Sequence, residues 1–135
     1  MIIEKVLPKS VIIHIDRFSL SPHLQLEAVQ EFKELCLSSG TKVCAEVSGK
    51  IDRPSSNFFV KQGKLDEIKQ LVQSNKANLV IFNNDLTPSQ ERNLEEYLCA
   101  RVLDRTSLIL DIFATRASSH IGKLQVELAQ LTHLS

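Results

Sequence analysis

Hydrophobic and polar residues follow two different rhythms along this chain, and the switches between them mark out its elements. The run SVIIHI at 10–15 is β-branched and nearly unbroken, as a strand buried on both faces requires. PHLQLEAVQEFKELCLSSG (22–40) then takes helical spacing through Leu26, Val29, Phe32, Leu35 and Cys36, with Gly40 placed to cap its end. TKVCAEVSG (41–49) alternates as a strand, and KIDRPSSN (50–57) is turn-rich, with Pro54 forbidding a helix. GKLDEIKQLVQSN (63–75) is helical along Leu65, Ile68, Leu71 and Val72, and NLVIFN (78–83) is the cleanest buried strand. LTPSQERNLEEYLCA (86–100) opens with Thr87, Pro88 and Gln90, which fit a capping box with proline in the first helical turn. A short strand, RVLD (101–104), precedes the helical TSLILDIFATRA (106–117). A final helix follows, its apolar stripe formed by Ile121, Leu124, Leu128 and Leu131.

Strands alternating with helices imply crossover connections. The expected fold is therefore α/β: a four-stranded, mostly parallel sheet flanked by helices, followed by a C-terminal helical extension. The expected division is an α/β unit over 1–105 and the extension over 106–135.

Composition narrows the function classes. The chain has 135 residues, enough for about one domain, and its 24% charged residues balance to zero. Neither a disordered chain nor a strongly basic nucleic-acid arm fits that balance, so any RNA contact has to come from a local patch. No apolar run approaches the length of a membrane span, and the start lacks the order of a secretory signal. Cys36, Cys44 and Cys99 form no C-x-x-C pair and read as reduced, partly buried thiols of a cytosolic protein.

Open parallel sheets bind ligands beyond the carboxyl ends of their strands. Asp16–Arg17, Gly49–Lys50 and Asn83–Asn84–Asp85 fall there. They allow a divalent cation, but Asp and Asn serve equally as turn formers and caps, and no metal is expected. The Gly-Lys pairs at 49, 63 and 122 lack both the earlier glycine and the following Ser or Thr of a P-loop. NKAN (75–78) offers Asn78 where guanine reading needs an acid. No nucleophile elbow or zinc spacing occurs; His14 reads as a satisfied core histidine, and Glu95 and Glu96 as solvated. An enzyme reading finds no support in these 135 residues.

One segment differs. Arg116, Ser118, Ser119, His120 and Lys123 converge on the bend between the last two helices, with Arg105 upstream. That turn can reach phosphates. It also reads as plain capping, with Ser118 or Ser119 as N-cap and Arg116 favoured by the preceding helix dipole.

VLDRTSLILDIFATRASSHIGKLQVELAQL (102–131) resembles the signature stretch of the HflX family of translational GTPases. NLVIFNNDLTPSQERNLEEYL (78–98) and FFVKQGKLDEI (58–68) are similar to that family's upstream strand, capped helix and glycine loop. Lys61 stands in place of the loop's first glycine, Ser107 in place of a glycine and Ile121 in place of a glutamate. The resemblance implies a cytoplasmic factor that docks on the large ribosomal subunit and its rRNA in ribosome splitting or rescue. It implies RNA contacts at Arg105, Arg116, Ser118, Ser119, His120 and Lys123. It further implies that the last helix is the first arm of a helical hairpin leading to the protein's own G domain. GTP and Mg²⁺ would bind there, and no cofactor is expected in these residues. Without the partner helix, residues 121–135 would expose an apolar seam able to pair two copies. Two alternatives stay open: a nucleotide (ATP) site of the domain's own at Gly63 and Lys64, with Asp16 and Asn84, or a receiver-like regulatory or oligomerising module.

Overall fold

Every second residue of a strand faces the same side, so a run such as Val11–Ile15 must find two apolar covers at once. In the computed structural model, which describes residues 7–117, it does. The strands are β1 (Lys9–Asp16), β2 (Lys42–Lys50), β3 (Leu79–Phe82) and β4 (Arg101–Leu103), and the helices between them are α1 (Pro22–Ser38), α2 (Gln62–Asn75) and α3 (Pro88–Leu98). A fourth helix, α4, runs through residues 105–117. The apolar positions expected at 121–131 lie outside the described residues.

The sheet order is β2-β1-β3-β4, and all three pairings are parallel. Val11, Ile13 and Ile15 point to one side, where Val47, Val80, Phe82 and Val102 meet Leu65, Ile68 and Val72 of α2 and Leu94 and Leu98 of α3. Ile12 points to the other, joining Ile81 and Leu103 to Phe32 and Cys36 of α1 and to Leu108 and Ile112 of α4. Two helices therefore cover each face. By the same alternation, His14 and Asp16 stand on the α1/α4 side.

The helix boundaries follow from their caps. Ser21 Oγ accepts from Leu24 N at 3.4 Å to start α1, and Gly40 (φ +85°) turns the chain after it. Thr87 and Gln90 form the reciprocal capping box of α3. The sequence puts Asp104 at the end of β4, but the strand stops at Leu103. The Asp104 carboxylate instead accepts from Ser107 N at 2.8 Å and Leu86 N at 3.2 Å, so it caps α4 and closes the loop before α3.

Between β2 and α2 the chain makes a tight turn. Ser55 and Phe59 exchange backbone hydrogen bonds at 3.0 Å, and Val60 N donates to Phe58 O at 2.7 Å across Phe59, whose φ is +66°. That left-handed conformation costs a non-glycine residue about 1–3 kcal/mol. Burial of the Phe59 ring, edge-on to Phe82 with centroids 6.3 Å apart, offsets it.

From β1 the chain first moves outward to β2, then crosses back to β3 on the opposite flank. This reversal is the topological switch point, and the carboxyl ends of β1 and β3 frame it.

Candidate functional site

At the switch point the polar residues are bonded to one another across long stretches of sequence. Asp16 ends β1 and turns inward. Its Oδ1 accepts from Phe18 N at 3.0 Å, and its Oδ2 from Leu20 N at 3.1 Å and Gln25 Nε2 at 2.8 Å, which ties down the loop into α1. Asn84 extends the ladder beside β1, accepting from Ile15 N at 3.2 Å and donating to Ile15 O at 2.9 Å.

Asn83 joins two further groups. Arg105 Nη1 donates to its Oδ1 at 2.6 Å, and its Nδ2 lies 2.8 Å from His14 Nδ1. A guanidinium only donates, so the Asn83 oxygen must face Arg105 and its NH₂ must face the histidine. His14 Nδ1 is therefore an acceptor, and the neutral ring carries its proton on Nε2. Burial pushes the His14 pKa below its ordinary value; nearby Asp16 acts against this and Arg105 with it. His14 does not behave as the satisfied core histidine that its strand suggested. Its Nε2 is the buried side-chain polar atom without a hydrogen-bond partner among the described residues.

The expected RNA-contact residues fall in three places. Arg105 sits at the root of α4, committed to Asn83, with Nη2 3.7 Å from Glu31 Oε1. Beside it, Thr106 Oγ1 donates to Asp85 Oδ1 at 2.6 Å, and Arg105 N to Asn84 O at 3.2 Å. Arg116 is exposed in the last described turn, roughly 16 Å farther along the helix at 1.5 Å per residue. Ser118, Ser119, His120 and Lys123 lie outside the described residues. Between Arg105 and Arg116, α4 exposes Leu110 and Phe113.

Of the residues considered for a nucleotide, Lys64 Nζ donates to Ser48 O at 3.0 Å and lies 3.0 Å from Glu67 Oε2. A Cβ added to Gly63 would touch nothing, so no group approaches that glycine closely. Among the described residues no group of three His, Cys, Asp or Glu side chains could hold a metal ion, and no helix is long and apolar enough to cross a membrane.

Sequence reasoning passed over the Arg105–Asn83–His14 relay. Its members lie 22 and 69 positions apart, and the only local signal is a histidine in an apolar strand.

Comparison with known proteins gives concordant matches. The family model described as GTP-binding GTPase N-terminal matches residues 26–114. GTPase HflX of Escherichia coli (strain K12) is 45% identical over 127 residues, covering 94% of this chain and 29% of that protein. GTPase HflX of Thermococcus kodakarensis is 46% identical over 104 residues, covering 76% of this chain and 23% of that protein. A crystal structure of SsGBP in complex with GDP superimposes with a TM-score of 0.62 at 26% identity, covering 92% of this chain and 34% of that one. The chain thus spans less than a third of the length of the curated relatives named here.

Proposed function

The chain belongs to the GTP-binding GTPase N-terminal family, as found in HflX-type GTPases, and from that premise we propose that it is a ribosome-binding domain that contacts large-subunit rRNA during ribosome splitting or rescue. The observation that carries this reading is the way α4 is mounted. Its root is bonded to residues 83–86 through Asp104, Arg105 and Thr106, while Arg116 stands exposed at the far end. A cation on an anchored helix meets phosphates with little ordering cost. Arg116 and Lys123 neutralise phosphates, and Ser118, Ser119 and His120 donate to backbone or bases. Arg105 contributes by fixing the helix root.

GTP hydrolysis, with its Mg²⁺, belongs on this reading to a G domain elsewhere in the protein, since these 135 residues contain no P-loop. This domain binds and does not hydrolyse, and it works in the cytoplasm. The test is ribosome binding by the full-length protein carrying Arg116→Ala and Lys123→Ala, across a salt series. Each lost phosphate contact should weaken binding and reduce the slope of log K against log salt by roughly 0.7–0.9. Unchanged affinity and slope would remove the RNA role from this arm.

A further inference from the structure

Beside the relay, a cleft of about 440 Å³ opens between α1 and the carboxyl ends of β1 and β2, within the size range of small-molecule sites. Its walls include His14, Gln25, Leu26, Val29, Gly49 and Lys50. Two of the residues on its walls carry a group without a partner among the described residues. The relay holds Nε2–H of His14 as a donor, and a buried donor without an acceptor is destabilising. Lys50 forms no ion pair among the described residues. The other charged group on the wall, Asp16, is already answered by three N–H donors. The net demand is thus for an acceptor with negative charge, while Pro22, Leu26 and Val29 offer aliphatic surface.

We propose that this cleft binds a small organic anion, its carboxylate or phosphate oxygen accepting from His14 Nε2–H beside the Lys50 ammonium and its apolar body lying on Leu26 and Val29. The Nε2 atom has almost no solvent contact, so a ligand reaches it only with rearrangement of the side chains around the ring. Asn83 and Arg105 act as positioning residues, because they set which ring nitrogen carries the proton. The site is independent of the RNA-contact reading, which concerns the other end of α4.

The test uses the 135-residue chain with ¹⁵N-labelled histidine and methyl-labelled Leu and Val. Long-range ¹H–¹⁵N spectra should show His14 as the Nε2–H tautomer. Phenyl phosphate or benzoate should shift His14 Nε2 and the Leu26 and Val29 methyls with saturation, and the preferred one identifies the anion class. Benzyl alcohol should bind at least tenfold more weakly. His14→Phe and Lys50→Met should each weaken anion binding about tenfold, the factor expected for one charge-assisted hydrogen bond. If His14→Phe fails to fold, Lys50→Met and the benzyl alcohol comparison still decide. The proposal is overturned by an Nδ1–H tautomer, by no shift at His14, by equal affinity for benzyl alcohol, or by saturation that Lys50→Met leaves unchanged.

Discussion

Replacing Asn83 by aspartate would reverse the electrostatics of the relay without changing its shape. Arg105 would keep its acceptor, but the second carboxylate oxygen would face His14 Nδ1, 2.8 Å away, and an acceptor facing an acceptor is repulsive. The ring resolves this by taking a proton on Nδ1 while retaining the one on Nε2, and so becomes a cation. An opposite charge at this distance raises a histidine pKa by roughly one to three pH units. Part of the ring meets solvent, and after discounting for screening the coupling is about 1–2 kcal/mol. The signs are opposite in the two proteins. In the parent chain the folded His14 pKa lies below its ordinary 6.5, so stability falls as pH drops from 6.5 through the folded value. In Asn83→Asp the folded value lies above 6.5, so the added stability is full below 6.5 and disappears as pH rises through the folded pKa. NMR titration of the His14 Cε1–H, with urea unfolding between about pH 5 and pH 8, reads both effects. A variant whose His14 still titrated below 6.5, with the same slope of stability against pH, would refute the relay and the tautomer drawn from it.

Two further outcomes rest on other contacts. Asp104→Ala removes the α4 cap and leaves Leu86 N without its acceptor, costing about 2–3 kcal/mol in urea unfolding; a loss under about 0.5 kcal/mol would deny that role. Exposed Cys99 should react with maleimide in the native state, whereas buried Cys36, its thiol pushed up to about 12 by burial, should react only on unfolding. Mass spectrometry of the labelled peptides separates the two, and native-state labelling of Cys36 would contradict its packing against α1's side of the sheet.

The elements were legible because each has a period of its own. SVIIHI and NLVIFN are short, nearly unbroken apolar runs rich in β-branched residues, too short for a helix, and the stripe through Leu65, Ile68 and Val72 keeps helical spacing; all three of these residues are buried. What could not be read is long-range pairing. The capping box of Thr87 and Gln90 is visible in sequence, yet nothing there tells that Gln90 Nε2 also donates to Ser55 O at 2.7 Å, a bond glutamate could not make. Glu95 looked solvated from its place on a polar face, but its carboxylate accepts from Val102 N at 3.2 Å, where the chain returns into β4. His14 and Asn83 each have an innocuous neighbourhood in sequence; only the parallel pairing of β1 with β3 brings them together. For the arm, the sequence supplied the resemblance and the basic residues, and the structure added that Arg105 is bonded to Asn83 at the root.

That root has a mechanical meaning. Three successive residues grip four successive residues of the segment that leaves β3, so α4 could swing at this joint only by breaking those bonds. Leverage applied at the outer tip of the rod would arrive as torque in the middle of the sheet, where Leu108 and Ile112 are seated, with little lost at the shoulder.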